Sequence, residues 1–104
     1  MNTVSWEAAS AEARAAMSPA ELRDYERDKA DAEVALDLAQ LVYDARIRAG
    51  LSQTELARIA GTSQAAISAI ENASKVPTVA TLRRLADALG ARLEVRMTYD
   101  QLSA

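Results

Sequence analysis

The stretch GTSQAAISAIE, residues 61–71, predicts a tight turn that opens into a short helix. Gly61 suits the left-handed backbone conformation that ends a preceding helix, and Ser63 is a residue type that caps the start of the next one. Ile67 and Ile70 are three residues apart, so they share one face of the helix and are expected to be buried. The polar residues of the stretch are then left on its outer face.

Cap signals on either side predict further helices. SQTE (residues 52–55) and SPAE (residues 18–21) both have the serine–glutamate spacing of a capping box. SPAE opens an unbroken run to Arg48, which is either one long helix or two, because its pattern changes near Asp31 from mostly charged to apolar. Thr78 is expected to cap a last helix.

Beyond the last helix, the apolar period changes from helical to two. Leu93, Val95 and Met97 alternate with polar residues, which predicts a half-buried strand over residues 92–99. The rest of the sequence shows no second strand, and a lone strand leaves its backbone unpaired. We therefore predict that this strand pairs with its mate in a second copy, with Leu93, Val95 and Met97 in the dimer interface.

The composition excludes several classes of function. The 104 residues include neither cysteine nor histidine, which excludes the usual structural zinc sites, disulfides, thiol nucleophiles and histidine bases. There is also no glycine-rich phosphate loop, so we predict a protein that is not an enzyme and has no cofactor. Glu21, Asp24 and Asp28 have a helical spacing that could suggest a metal site, but a solvated face is favoured and no metal is expected.

Charge and hydropathy suggest where the protein acts. No apolar run approaches the ~20 residues of a membrane span, and the start, MNTVSWEAAS, lacks a signal-peptide pattern. We therefore expect a soluble, cytoplasmic protein without a membrane partner. Residues 1–36 contain eight acidic and four basic residues, whereas residues 37–104 contain seven and eight. An acidic arm thus precedes a nearly neutral body.

Two short helices joined by a glycine turn form a helix-turn-helix pattern, which an ordinary helical corner can also produce. Here the similarity is wider, because residues 38–90 resemble the Cro/C1-type repressor family across all its helices. The resemblance rests on Arg46, Leu51, Gln53, Leu56, Ala57, Gly61, Ser63, Ile67, Ile70, Glu71, Pro77, Leu82, Leu85, Ala86, Leu89 and Gly90. We expect an all-α fold: a five-helix domain of this type over residues 34–90, an acidic helical arm over 1–33, and a C-terminal strand over 91–104 that pairs in a dimer.

The resemblance places the second motif helix in the major groove of double-stranded DNA. The expected base-reading residues are Gln64, Ser68, Ala65 and Ser63. Gln64 can offer its carboxamide to N6 and N7 of adenine, whereas Ala65 can touch only a thymine methyl, so the base code is modest.

Other residues are expected to hold the DNA backbone or the fold. The expected phosphate contacts are Gln53, Thr54, Asn72, Lys75 and Arg58, although Lys75 could equally be a solvated loop residue. Arg46 and Glu71 form an internal salt bridge in the family, so we assign them to structure. Few basic contacts predict weak non-specific binding, so we expect two copies on a palindromic operator.

An acidic arm, a motif containing GTSQAAIS and a strand such as ARLEVRM (residues 91–97) together resemble HigA-type antitoxins. This resemblance implies a basic partner, a HigB-like ribonuclease toxin of the RelE/ParE superfamily, and repression of the protein's own operon. The expected toxin-binding residues are Trp6, Met17, Leu22, Tyr25 and Asp28, with Asp24 and Asp31 beside them. Two alternatives stay open. The toxin could dock along Leu36, Tyr43 and Ile47, or the arm could merely aid solubility in a stand-alone repressor.

Overall fold

The structure of the protein, a computed structural model, describes residues 6–100, and the side chains of residues 11–100. All regular secondary structure in this range is helical, which confirms the predicted all-α class. The helices are α1 (Trp6–Ala15), α2 (Pro19–Arg48), α3 (Gln53–Ala60), α4 (Gln64–Glu71) and α5 (Val79–Ala88). Five helices were predicted within the domain of residues 34–90. That range holds the second part of α2 together with α3, α4 and α5, and the fifth helix is α1, which lies in the arm.

The helices begin where the sequence places hydroxyl caps. Ser52 and Glu55 form a reciprocal capping box at the start of α3, with each backbone N–H 3.0 Å from the other residue's side-chain oxygen. The Ser63 and Thr78 side chains accept the third backbone N–H of α4 and α5 in the same way. These bonds satisfy backbone donors that have no partner inside the helix.

The end of α3 and the length of α2 are both determined by where glycine and proline occur in the sequence. Gly61 ends α3 with φ 72° and ψ 35°, the left-handed conformation that a side chain disfavours. Its short turn brings the start of α4 close to α3. The run after Ser18 is one continuous helix, because neither glycine nor proline interrupts residues 20–48.

The chain divides into two compact units, residues 1–34 and residues 35–104. In the first unit, no side chain of residues 11–34 is buried, and Arg14, Met17 and Tyr25 are half-buried. This part of the arm therefore has no hydrophobic core of its own.

The second unit contains the core. Seven buried residues form one cluster, and Leu56 of α3 and Ile67 of α4 are fully buried within it. The other members are Val42, Ala57, Ala60, Ile70 and Leu85, with Leu51, Leu82, Ala88 and Leu89 packed against them. Burying each large side chain contributes about 1.5–3 kcal/mol, so this cluster fixes α3, α4 and α5 against one another.

The strand predicted over residues 92–99 is not formed in the single chain. Residues 91–99 have no regular secondary structure, and the described residues contain no other strand that could supply the ladder hydrogen bonds. Val95 and Met97 are 74% and 86% exposed, and only Leu93 is half-buried. The single chain therefore does not show the predicted half-buried strand, which was expected to form by pairing with a second copy.

Between residues 6 and 100, no helix combines the length and the apolar character needed to cross a membrane.

Candidate nucleic-acid interface

Two glutamines at the starts of successive helices are hydrogen-bonded to each other. Gln53 is the first residue of α3 and Gln64 is the first residue of α4. The turn between these helices brings the Gln64 Nε2 to 2.8 Å from the Gln53 Oε1, to which it donates. Gln64 is exposed and Gln53 is half-buried, so the pair joins the surface to the interior.

Glu71, at the end of α4, anchors this pair. Its Oε1 accepts a hydrogen bond from the Gln53 Nε2 at 3.1 Å. The same carboxylate accepts two bonds from Arg46, from Nε at 2.7 Å and from Nη2 at 2.9 Å, and the Arg46 Nη1 donates to the Leu51 carbonyl at 2.9 Å. This geometry confirms the internal salt bridge expected between Arg46 and Glu71.

The ion pair is almost completely removed from solvent. The side chains of Arg46 and Glu71 are 10% and 6% exposed, and the Tyr43 ring centroid lies 5.3 Å from the Arg46 Cζ. Burial alone would raise the pKa of Glu71, but hydrogen bonds from Arg46 and Gln53, with the Arg46 charge, hold that pKa below its ordinary value. The bond to Glu71 in turn raises the pKa of Arg46. Both groups are therefore charged at neutral pH.

The residues predicted to read bases lie at the start of α4. Gln64 and Ala65 are exposed in its first turn, and Ser68 is half-buried one turn later. The Ser63 hydroxyl accepts the Ala66 N–H at 3.1 Å, so its oxygen serves as the helix cap. Ile67 is fully buried, which turns the opposite face of α4 outward.

The residues predicted to bind phosphate fall into two groups. Gln53 and Thr54 open α3, whose first backbone N–H groups point along the helix axis, and exposed Arg58 lies in its last turn. Asn72 and Lys75 follow α4 and are exposed. The Asn72 Oδ1 accepts the Ser74 N–H at 2.9 Å, so its amide N–H groups are the ones that suit a phosphate.

Sequence reasoning missed the hydrogen bonds that link Gln53 to Gln64 and to Glu71. One signal for them was available. Gln64 and Glu71 are seven residues apart, and a separation of two turns places both on the same face of α4.

The residues predicted to bind a toxin lie in the first unit, residues 1–34. Leu22 is 36% exposed, Met17 and Tyr25 are half-buried, and the Trp6 side chain lies outside the described residues. Asp28 is exposed, and its Oδ1 lies 3.8 Å from the Arg27 Nε. The Arg27 Nη2 lies 3.3 Å from the Asp24 Oδ1. These carboxylates thus belong to a solvated, ion-paired face.

Two short helices packed on a common core, joined by a glycine turn and with an exposed first turn on the second, form a helix-turn-helix motif. The helix-turn-helix family model matches residues 42–96, which is more than half of the chain. The chain therefore belongs to this family of DNA-binding transcriptional regulators, and its domain is of the Cro/C1 type. No curated protein matches the chain.

Proposed function

We propose that the protein is a dimeric repressor that reads the major groove with the first turn of α4, and that its arm neutralises a small basic toxin. The observation that carries the DNA part is the hydrogen-bonded pair of Gln53 and Gln64. Because each side chain restrains the other before DNA binds, ordering them on binding has a smaller entropic cost.

The chemistry of Gln64 suits adenine. Its amide oxygen accepts, and one N–H remains after the bond to Gln53. Adenine presents a donor at N6 and an acceptor at N7 in the major groove, so the two edges are complementary. Ser68 can bond to either kind of base, and Ala65 can contact a thymine methyl. The half-site is then read through few contacts.

Phosphates would be held on both sides of the reading turn. The start of α3 offers backbone N–H groups together with the second Nε2–H of Gln53, and helix N-termini favour anions. Lys75 and Asn72 would contact the backbone beyond α4. Contacts of this kind fix the register of the protein on the duplex and carry no base information.

A second copy would supply affinity that one half-site lacks. An open apolar groove of about 270 Å³ runs between the end of α2, α5 and the first residues after α5, with Leu41, Leu82, Leu89 and Leu93 among its lining. We infer that the exposed Val95 and Met97 of each copy are covered in the dimer, where the two C-terminal segments pair as strands. Pairing would satisfy the backbone groups of both segments.

The dimer is tested by sedimentation of the full chain. Val95→Glu should shift the protein toward a monomer, because a charge replaces an apolar contact at the interface. Thr98→Glu, which adds the same charge on the alternate side of the segment, should leave the dimer intact. A monomeric wild-type chain would contradict the proposed interface.

DNA binding is tested with duplexes from upstream of the protein's own coding sequence, by fluorescence anisotropy. Gln64→Ala should weaken specific binding by about 1–3 kcal/mol per half-site. Gln40→Ala is the matched control, because Gln40 is an exposed glutamine on α2 that bonds only to Asp44 among the contacts seen. Equal affinities for wild type and Gln64→Ala would contradict the assigned reading residue.

Three properties of the arm support a protein partner. Residues 11–34 have no buried side chain, so this part of the arm has no hydrophobic core of its own. Leu22 is exposed, and Met17 and Tyr25 are half-buried. The same region carries an excess of acidic residues, which favours a basic partner. With the resemblance to HigA-type antitoxins, these properties favour a RelE/ParE-superfamily toxin.

Co-purification with the product of the adjacent small reading frame tests the antitoxin proposal. Leu22→Ala with Tyr25→Ala should weaken capture if the toxin binds the arm. Leu36→Ala with Ile47→Ala is the matched control, because those side chains are 60% and 52% exposed on α2. Loss of capture only with Leu36→Ala and Ile47→Ala would mean that the toxin binds the side of α2 that carries these two residues. The absence of any complex would leave a stand-alone repressor.

A further inference from the structure

Glu71 faces Gln53 with a group that can only accept hydrogen bonds. The side chain is ionised at neutral pH, since Arg46 pairs with both of its oxygens. The Gln53 amide must therefore turn its Nε2 toward Glu71, because its oxygen would be repelled there. The 3.1 Å bond from Nε2 to Oε1 has this direction.

The orientation of Gln53 determines that of Gln64. With its Nε2 toward Glu71, Gln53 presents its oxygen to Gln64, which has to donate through its own Nε2. The remaining Oε1 and N–H of Gln64 then face outward in one fixed order. A rotation of the Gln64 amide by 180° would exchange donor and acceptor.

That order decides which base fits. In the order fixed by Gln53, the acceptor of Gln64 can meet N6–H of adenine while its N–H meets N7. In the reversed order the donor would face N6–H and the acceptor would face N7, so both contacts would be repulsive. Guanine, which presents O6 in place of the N6 amino group, would then gain one favourable contact.

We propose that Glu71, which need not touch DNA, is a specificity-determining positioning residue: through Gln53 it fixes the donor–acceptor order of the Gln64 amide and so selects adenine. The inference rests on the proposed reading of a base by Gln64. It adds a function to an ion pair that would otherwise serve only the stability of the fold.

The test measures base preference, which a loss of stability alone does not change. A randomised duplex library is selected with the full chain, and the position that loses its preference in Gln64→Ala is identified. Dissociation constants are then measured for the selected duplex and for the same duplex with guanine in place of adenine at that position. Wild type should prefer adenine about tenfold or more per half-site, which corresponds to about 1.4 kcal/mol or more.

Two variants should lose this preference. Glu71→Gln can present either an N–H or an oxygen to Gln53, so the adenine-to-guanine ratio should fall to about threefold or less. Gln53→Met removes the connection but leaves the Arg46–Glu71 pair in place, and it should reduce the ratio equally while weakening all duplexes through the lost phosphate contact. Gln53 is only half-buried, so this variant can still overturn the inference if Glu71→Gln does not fold.

Arg46→Lys is the matched control for stability. It retains the charge of Glu71, so the ratio should stay at the wild-type value although the fold is weakened. An unchanged ratio in Glu71→Gln or in Gln53→Met, or a selected base other than adenine, would overturn the inference. If Gln64→Ala itself leaves every base preference unchanged, the proposed reading by Gln64 fails instead.

Discussion

Replacing Arg46 with alanine should cost about 3–5 kcal/mol of unfolding free energy, because it leaves a buried carboxylate without its partner. The Glu71 side chain is 6% exposed and loses both bonds from the guanidinium, and the Leu51 carbonyl loses its bond as well. For a unit of the size of residues 35–104, the whole free energy of unfolding is about 4–10 kcal/mol. The variant should therefore unfold at a much lower urea concentration, as followed by circular dichroism.

The stability lost in Arg46→Ala should depend on pH, in a direction that follows from the pKa of Glu71. In the wild type, the folded-state pKa of Glu71 lies below its unfolded value, which is near 4.5. Ionised Glu71 therefore contributes to the free energy of unfolding at pH values above the unfolded pKa. This contribution is lost as pH falls through the folded-state pKa. Without Arg46, burial raises the folded-state pKa above the unfolded value. The contribution of Glu71 is then lost as pH rises through that raised pKa. The difference between wild type and Arg46→Ala should therefore be larger at pH 7 than at pH 4.

Two controls separate burial from charge. Arg27→Ala removes an arginine that contacts Asp24 and Asp28, but its side chain is 67% exposed, so the loss should stay below about 1 kcal/mol. Arg46→Met combined with Glu71→Met removes both buried charges and should be less damaging than Arg46→Ala alone. A loss below about 1 kcal/mol for Arg46→Ala, or an equal loss at pH 7 and pH 4, would refute the reasoning.

Substitutions at three further positions test the domain and its DNA contacts. Ile67→Ala should destabilise the protein by about 2–5 kcal/mol in urea denaturation, because the side chain is fully buried; a loss below 1 kcal/mol would mean that α4 is not packed on this core. Ser63→Ala should cost about 0.5–2 kcal/mol through the lost cap of α4, and Ser63→Asp, which can cap in the same way, should cost less. Lys75→Ala should reduce the slope of log affinity against log salt by about 1 in a salt titration, and an unchanged slope would make Lys75 a solvated loop residue.

Local chemistry explains why the helices were predictable. Ser52 with Glu55, and Thr78, satisfy backbone groups within three residues of themselves, so the sequence contains all the partners that those helix starts need. Whether residues 19–48 formed one helix or two stayed open, because the apolar pattern changes near Asp31 while no residue there breaks a helix.

Features that depend on distant partners could not be derived in the same way. The strand over residues 92–99 requires a second backbone beside it, and alternation of side chains cannot create that partner. The pairing of Arg46 with Glu71 was expected only from the family resemblance, since 25 residues separate them. The bonds from Gln53 to Glu71 and Gln64 depend on how closely the start of α3 approaches α4, which spacing along one helix does not determine.

The most direct test of sequence-specific DNA binding by a dimer is the stoichiometry and sequence of a complex selected from random duplexes. Native mass spectrometry of the full chain on the enriched duplex should give two chains per duplex. The sequence should contain inverted half-sites about one helical turn apart, each with an adenine whose enrichment depends on Gln64. One chain per duplex, or binding that does not depend on sequence, would contradict a dimeric repressor that reads DNA through α4.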